Sequence, residues 1–179
     1  MQKKAYTLSI LVEDTPGVLS QVARLFSRKG YNIESICAGP TLSEGTTRIS
    51  VVMLGDEAAI RQIATQLSKL LLVISVDVLE GEESIQRELV LIKVRAETRD
   101  AREDIIQITN VFRANIVDFG TSTLVIAVVG DIEKIRAMLR VLSDYEILET
   151  VQTGMMALAR GQNTIYDQNK LKDENNYGK

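Results

Sequence analysis

Residues 6–33 read YTLSILVEDTPGVLSQVARLFSRKGYNI, and this stretch decides the fold. Residues 6–12 alternate in the manner of a strand with one buried face. Pro16 suits the first helical position because its missing N–H costs nothing there, and Thr15 can serve as the cap. Val18, Leu19, Val22, Leu25 and Phe26 recur at three- and four-residue spacing, which predicts one apolar helical stripe. Gly30 is the expected stop. Residues 31–39 and 46–54 then read as strands on either side of a polar loop. A second helix after Asp56 turns Ile60, Ile63, Ala64, Leu67 and Leu70 inward, and residues 72–79 supply a fourth strand.

The same order recurs after the polar break Gly81-Glu82-Glu83-Ser84. Residues 88–96 read as a strand, and residues 100–113 as a helix burying Ile105, Ile108, Val111 and Phe112. A hairpin about Gly120 follows, then a helix lined by Ile132, Ile135, Met138, Leu139 and Leu142, and a last strand over 147–158. Asn32-Ile33 and Asn115-Ile116 stand at matching places, as do Gly55-Asp56 and Gly130-Asp131. The β-α-β-β-α-β order with right-handed crossovers implies an α+β chain of two tandem ferredoxin-like sandwiches. Domains are expected at 1–80 and 86–160, with 161–179 a flexible tail of almost no apolar spacing.

The chain of 179 residues carries a net charge of −3, 4% aromatics and no Trp. That balance disfavours a nucleic-acid surface, and no apolar run is long enough to span a membrane. The absence of histidine removes the commonest general base and His-based metal sites. Cys37 is the sole cysteine, which excludes an internal disulfide framework and suggests a reducing, cytoplasmic setting. On an apolar strand it reads as a small core residue.

Chemistry is best sought in the loop Glu13-Asp14-Thr15-Pro16-Gly17, which is built differently in the first copy than in the second. Free N–H groups at a helix N-terminus favour an anion, and the useful donors are expected on Gly17 and Val18. Glu13 and Asp14 would repel a phosphate dianion, whereas a zwitterion could place its ammonium on Asp14 and its carboxylate on the amides. A plain helix start with a tolerated glycine is the competing reading. Asn32 offers a donor and an acceptor, yet the intervening helix separates it from Gly17 by roughly 20 Å. Both can meet one small ligand only if Asn32 belongs to a neighbouring copy, joined through the edge strand that contains it. Taken alone, Asn32 reads as a turn residue after Gly30.

The stretch SILVEDTPGVLSQVARLFSRKGYNIESI, residues 9–36, resembles the ACT domain of the acetolactate synthase (acetohydroxyacid synthase) small regulatory subunit family. RKGYNIESI is the more specific part, and VFRANIVDFG and TGMMALARG are similar to the family's carboxy-terminal domain. The resemblance implies a non-catalytic regulator in branched-chain amino-acid biosynthesis. It would bind and activate a catalytic large subunit and confer feedback inhibition by valine. Thiamine diphosphate, Mg and FAD would sit on that partner, with no cofactor or metal here. The implied effector site lies at the interface of an ACT homodimer. Asp14, Thr15, Pro16, Gly17, Val18 and Leu19 would come from one chain, and Asn32 and Ile33 from the other. Some relatives carry Asn where this chain has Asp14, so the preference among valine, isoleucine and leucine stays open. A freestanding amino-acid sensor and an enzyme on the same scaffold are the competing functions.

Overall fold

The computed structural model describes residues 4–166, and the chain divides into two units, 1–85 with 155–179 and 86–154. In the first unit the order is β1 (Lys4–Glu13), α1 (Val18–Lys29), β2 (Ser35–Pro40), β3 (Thr46–Gly55), α2 (Glu57–Leu67) and β4 (Val73–Leu79). The sheet order is β2-β3-β1-β4, with every pairing antiparallel. One face buries Leu8, Ile10, Val12, Ile49, Val51 and Met53 against Val22, Leu25 and Phe26 of α1 and Ile60, Ile63 and Leu67 of α2.

The second unit repeats the plan. It contains most of β5 (Ser84–Arg95), then α3 (Arg99–Val111), β6 (Asn115–Phe119), β7 (Thr123–Gly130), α4 (Ile132–Val141) and β8 (Ile147–Gln152). Its strand order is β6-β7-β5-β8, and Val90, Ile92, Val94, Leu124, Ile126 and Val128 form the core with Ile105, Ile135 and Met138. A register shift recurs at the same place in both copies. Val12 lies opposite Val73 after Leu11 opposite Ser75, and Val94 lies opposite Ile147 after Lys93 opposite Glu149. An extra residue, Ile74 or Leu148, is thus accommodated one step from the end of each central strand. The expected ferredoxin-like duplication is therefore present.

Four details depart from expectation. First, β1 is buried on both faces, not one, since residues 6–12 are all buried. Its outer residues Thr7, Ser9 and Leu11 share cross-strand rows with Val52, Ser50 and Arg48 on β3 and with Leu79, Asp77 and Ser75 on β4. The small serines leave room for chain, and the segment 155–166 returns to fill it. Its strand β9 (Met156–Ala159) lies against β1 and β4, and Met155, Ala157 and Ile165 are buried. The final strand expected over 147–158 is split accordingly, and residues 155–160 belong to the first unit rather than the second. Residues 161–166 of the expected tail include Ile165, only 2% exposed; the rest of that tail lies outside the described residues.

Second, Asn32 and Ile33 precede β2 instead of opening it, whereas Asn115 and Ile116 do lie in β6. Third, Val111 is 79% exposed and Leu19 44%, so neither joins the apolar stripe assigned to it. Fourth, Cys37 is half-buried on the outer face of β2, opposite Ser50, and not in the core. Among the described residues no helix is long and apolar enough to cross a membrane. The returning segment gives a direct test. Ile165→Ala should lower stability by about 2–5 kcal/mol, as for other buried Ile truncations, read from the urea midpoint; an unchanged midpoint would mean the residue is not packed.

Candidate functional site

The junction between β1 and α1 is built by a tight turn. Val18 N–H donates to the Thr15 carbonyl at 3.3 Å, with Pro16 and Gly17 at the two central positions. Gly17 has φ 90° and ψ −4°, the values of the second central residue of a type II turn, where glycine avoids the Cβ clash of left-handed backbone. Helix α1 therefore starts at Val18, two residues later than Pro16 suggests. Thr15 does not cap it, and its Oγ1 is buried without a hydrogen-bond partner among the described residues. The loop is anchored elsewhere, by Asp14 N–H to Gly45 carbonyl at 2.8 Å and Glu13 N–H to Leu72 carbonyl at 2.9 Å.

This geometry leaves α1 unlike the other helices. Asp56, Thr98 and Asp131 cap α2, α3 and α4 through bonds to Ala59, Ala101 and Lys134 N–H. At α1 no side chain does so. Val18 N–H, expected to be free, is consumed by the turn. The first helical bond is Gln21 N–H to Gly17 carbonyl, so the N–H groups of Gly17, Leu19 and Ser20 have no acceptor among the described residues. They open on a cleft of about 800 Å³ lined by residues 14–20, Ala38, Gly39, Pro40 and Thr47. Asp14 is the one charged residue in that lining, and no Lys or Arg offsets it. The dipole and free N–H groups favour a negative group, while the Asp14 carboxylate favours a positive one. Leu19, exposed here, supplies an apolar wall.

All six loop and helix residues singled out in the sequence, Asp14 to Leu19, thus line one cleft. Asn32 and Ile33 do not. They lie beyond the far end of α1, whose 12 residues span roughly 18 Å at 1.5 Å per residue. Asn32 is exposed, its Nδ2 donating to Glu34 Oε1 at 2.7 Å, and Ile33 packs partly against the core. Ser20, Ala38, Gly39, Pro40 and Thr47 are lining residues that sequence reasoning missed. The β2–β3 residues come into the cleft through pairing, which no local pattern announces. In the second unit the matching junction is closed by the Thr98 cap and by Arg102 Nε donating to the Ala96 carbonyl at 2.8 Å. A second cleft of the first unit, about 600 Å³, is lined by Asp77, Glu80, Glu82, Glu83 and Arg160 among others. Among the described residues no group of three His, Cys, Asp or Glu side chains could hold a metal.

Known proteins with this arrangement place the chain. Residues 8–75 match the AHAS small subunit-like ACT domain, and residues 87–161 match the small subunit of acetolactate synthase. The acetolactate synthase small subunit of Mycobacterium leprae is 45% identical over 160 residues, covering 89% of this chain and 94% of its own. The chain belongs to the acetolactate synthase small-subunit family. A probable member from Methanothermobacter thermautotrophicus is 42% identical over 92% of this chain and 98% of its own. The crystal structure of the Thermotoga maritima small subunit superposes with a TM-score of 0.83 at 33% identity, covering 89% of this chain and 99% of that one. The chain is therefore of the regulatory small-subunit class, with an ACT domain in its first unit.

The positive φ at Gly17 gives a stability test that needs no ligand. Gly17→Ala should cost about 1–2 kcal/mol, the penalty of left-handed backbone for an L-residue. Gly39→Ala in the same cleft, where φ is ordinary and the added Cβ meets nothing within 4 Å, should stay within about 0.5 kcal/mol of the parent. Equal urea midpoints for the two variants would contradict the turn geometry.

Proposed function

We propose that this chain activates the acetolactate synthase catalytic subunit and carries its feedback inhibition by valine, with the amino acid held in the Asp14–Leu19 cleft at the interface of an ACT homodimer. The observation that carries this reading is the uncapped N-terminus of α1 facing a lone carboxylate in a cation-free cleft. A free α-amino acid carries one anionic group for the amides and one cationic group for Asp14, and its aliphatic chain can lie on Leu19. Family membership supports the catalytic partner; this chain is its non-catalytic regulator, and the reaction chemistry belongs to that partner.

The dimer is argued from two facts. Strand β2 is an edge, and unpaired edges recruit strands. Asn32 and Ile33, which the family resemblance assigns to the effector, stand a helix length away from the cleft of their own chain. Two-fold pairing of β2 edges would bring them to the partner's cleft and make two equivalent sites. The effector then acts by favouring one of two interface arrangements.

Reconstitution of the full chain with the catalytic subunit tests this reading. Activity should rise on mixing and fall with valine. Gly17→Asp should lose the valine response while retaining activation, because its carboxylate would occupy the site of the effector's own. Gly17→Ala carries the same backbone strain without the charge and should keep a valine response; if both variants fail alike, strain and not charge is responsible. Asn32→Ala should weaken effector binding by about 1–3 kcal/mol, the cost of leaving a buried polar partner unmet. A calorimetric affinity equal to the parent's would return Asn32 to the role of a turn residue.

A further inference from the structure

We propose that Ser35 is a positioning residue for the effector response, because its hydroxyl ties the edge strand β2 to the chain segment that covers the outer face of the first sheet. The inference rests on the effector reading above.

In the sheet, β2 has β3 as its one neighbour. Its side chains alternate. Ile36 and Ala38 stand opposite the core residues Val51 and Ile49, while Ser35, Cys37 and Gly39 stand opposite Val52, Ser50 and Arg48 in the outer rows. On that outer side the Met155 N–H donates to Ser35 Oγ at 2.9 Å. Met155 is itself buried, and the segment is held again at Arg160, whose N–H donates to the Glu83 carbonyl at 2.8 Å. The Ser35 bond is thus a tie between the covering segment and β2.

The location gives the tie its consequence. Ala38, Gly39 and Pro40 at the end of β2 line the cleft of their own chain. Asn32 and Ile33, just before its start, are the residues assigned to the partner's cleft. Both ends of β2 therefore meet effector. The proposed pairing of β2 edges would hold the strand within the sheet but leave it free to move out of the sheet plane, and such local movement would absorb a displacement before it spread. Holding Ser35 from the outer face removes that slack. Met155 is also the residue at which the chain re-enters the first unit.

The test uses the full chain with its catalytic subunit, as wild type, Ser35→Ala and Ser35→Thr. Valine affinity is measured by calorimetry and the half-inhibitory valine concentration by activity. Ser35→Ala should bind valine within about twofold of wild type yet need about tenfold more of it for half-inhibition, a coupling loss of ordinary allosteric size. Ser35→Thr keeps the acceptor and should restore the wild-type response. Superimposed inhibition curves for Ser35→Ala and wild type would overturn the proposal, as would binding and inhibition weakening in equal proportion. Hydrogen exchange without ligand separates this failure from that of the effector reading. Residues 155–160 should exchange about tenfold faster in Ser35→Ala, since the bond is lost whether or not valine binds. Unchanged exchange overturns the tie itself. A wild type that ignores valine, leucine and isoleucine overturns the effector role.

Discussion

Seven consecutive residues of β1, 6–12, are buried, so this strand needs cover on both faces. On one side the cover is the helix pair, with Phe26, Ile60 and Ile63 packed on Leu8, Ile10 and Val12. On the other it is the returning segment with Met155, Ala157 and Ile165, laid over small side chains. Ser9, Ser50 and Ser75 are all buried there, and Arg48 Nε donates to Ser9 Oγ at 2.7 Å. Burial lowers the Arg48 pKa from its ordinary value, with Tyr166 and Asp77 acting in opposition. The Arg48–Ser9 bond satisfies the guanidinium Nε and one of these hydroxyls where water is excluded.

The duplicated architecture makes the cleft interpretable. Both units run a central strand into a helix past a matching register shift, yet only the first does so through Pro16 and Gly17. The type II turn spends the Val18 N–H and displaces Thr15 from the capping position, leaving the Gly17, Leu19 and Ser20 N–H groups without an acceptor among the described residues. In the second unit Thr98 Oγ1 accepts from the Ala101 N–H, and Arg102 Nε donates to the Ala96 carbonyl. The matching junction is thus open in one unit and closed in the other. The chemical difference is a few hydrogen bonds at one helix start.

Element order, the internal repeat and the strand-to-helix junction at residues 13–17 were legible because they depend on local signals: apolar periodicity, glycine stops and proline starts. The α1 stop at Gly30 is of this kind, with φ 73° and its N–H bonded to Phe26 and Ser27 carbonyls. Thr15 was misjudged since a cap and a turn residue look alike in sequence, and only the φ of Gly17 distinguishes them. Leu19 and Val111 fit a helical stripe by spacing, but a stripe does not say where the opposing layer ends.

The sequence alone determined two ferredoxin-like sandwiches, an acidic loop unsuited to phosphate, and a helix length that keeps Asn32 away from Gly17. All of these follow from interactions between near neighbours along the chain. Tertiary structure alone decided that Ala38, Pro40 and Thr47 join the cleft and that residues 155–166 cover the first sheet. Those outcomes depend on register and on which distant segment fills a vacant face. Such contacts are chosen by the packing of whole layers and leave no periodic mark on the residues that make them.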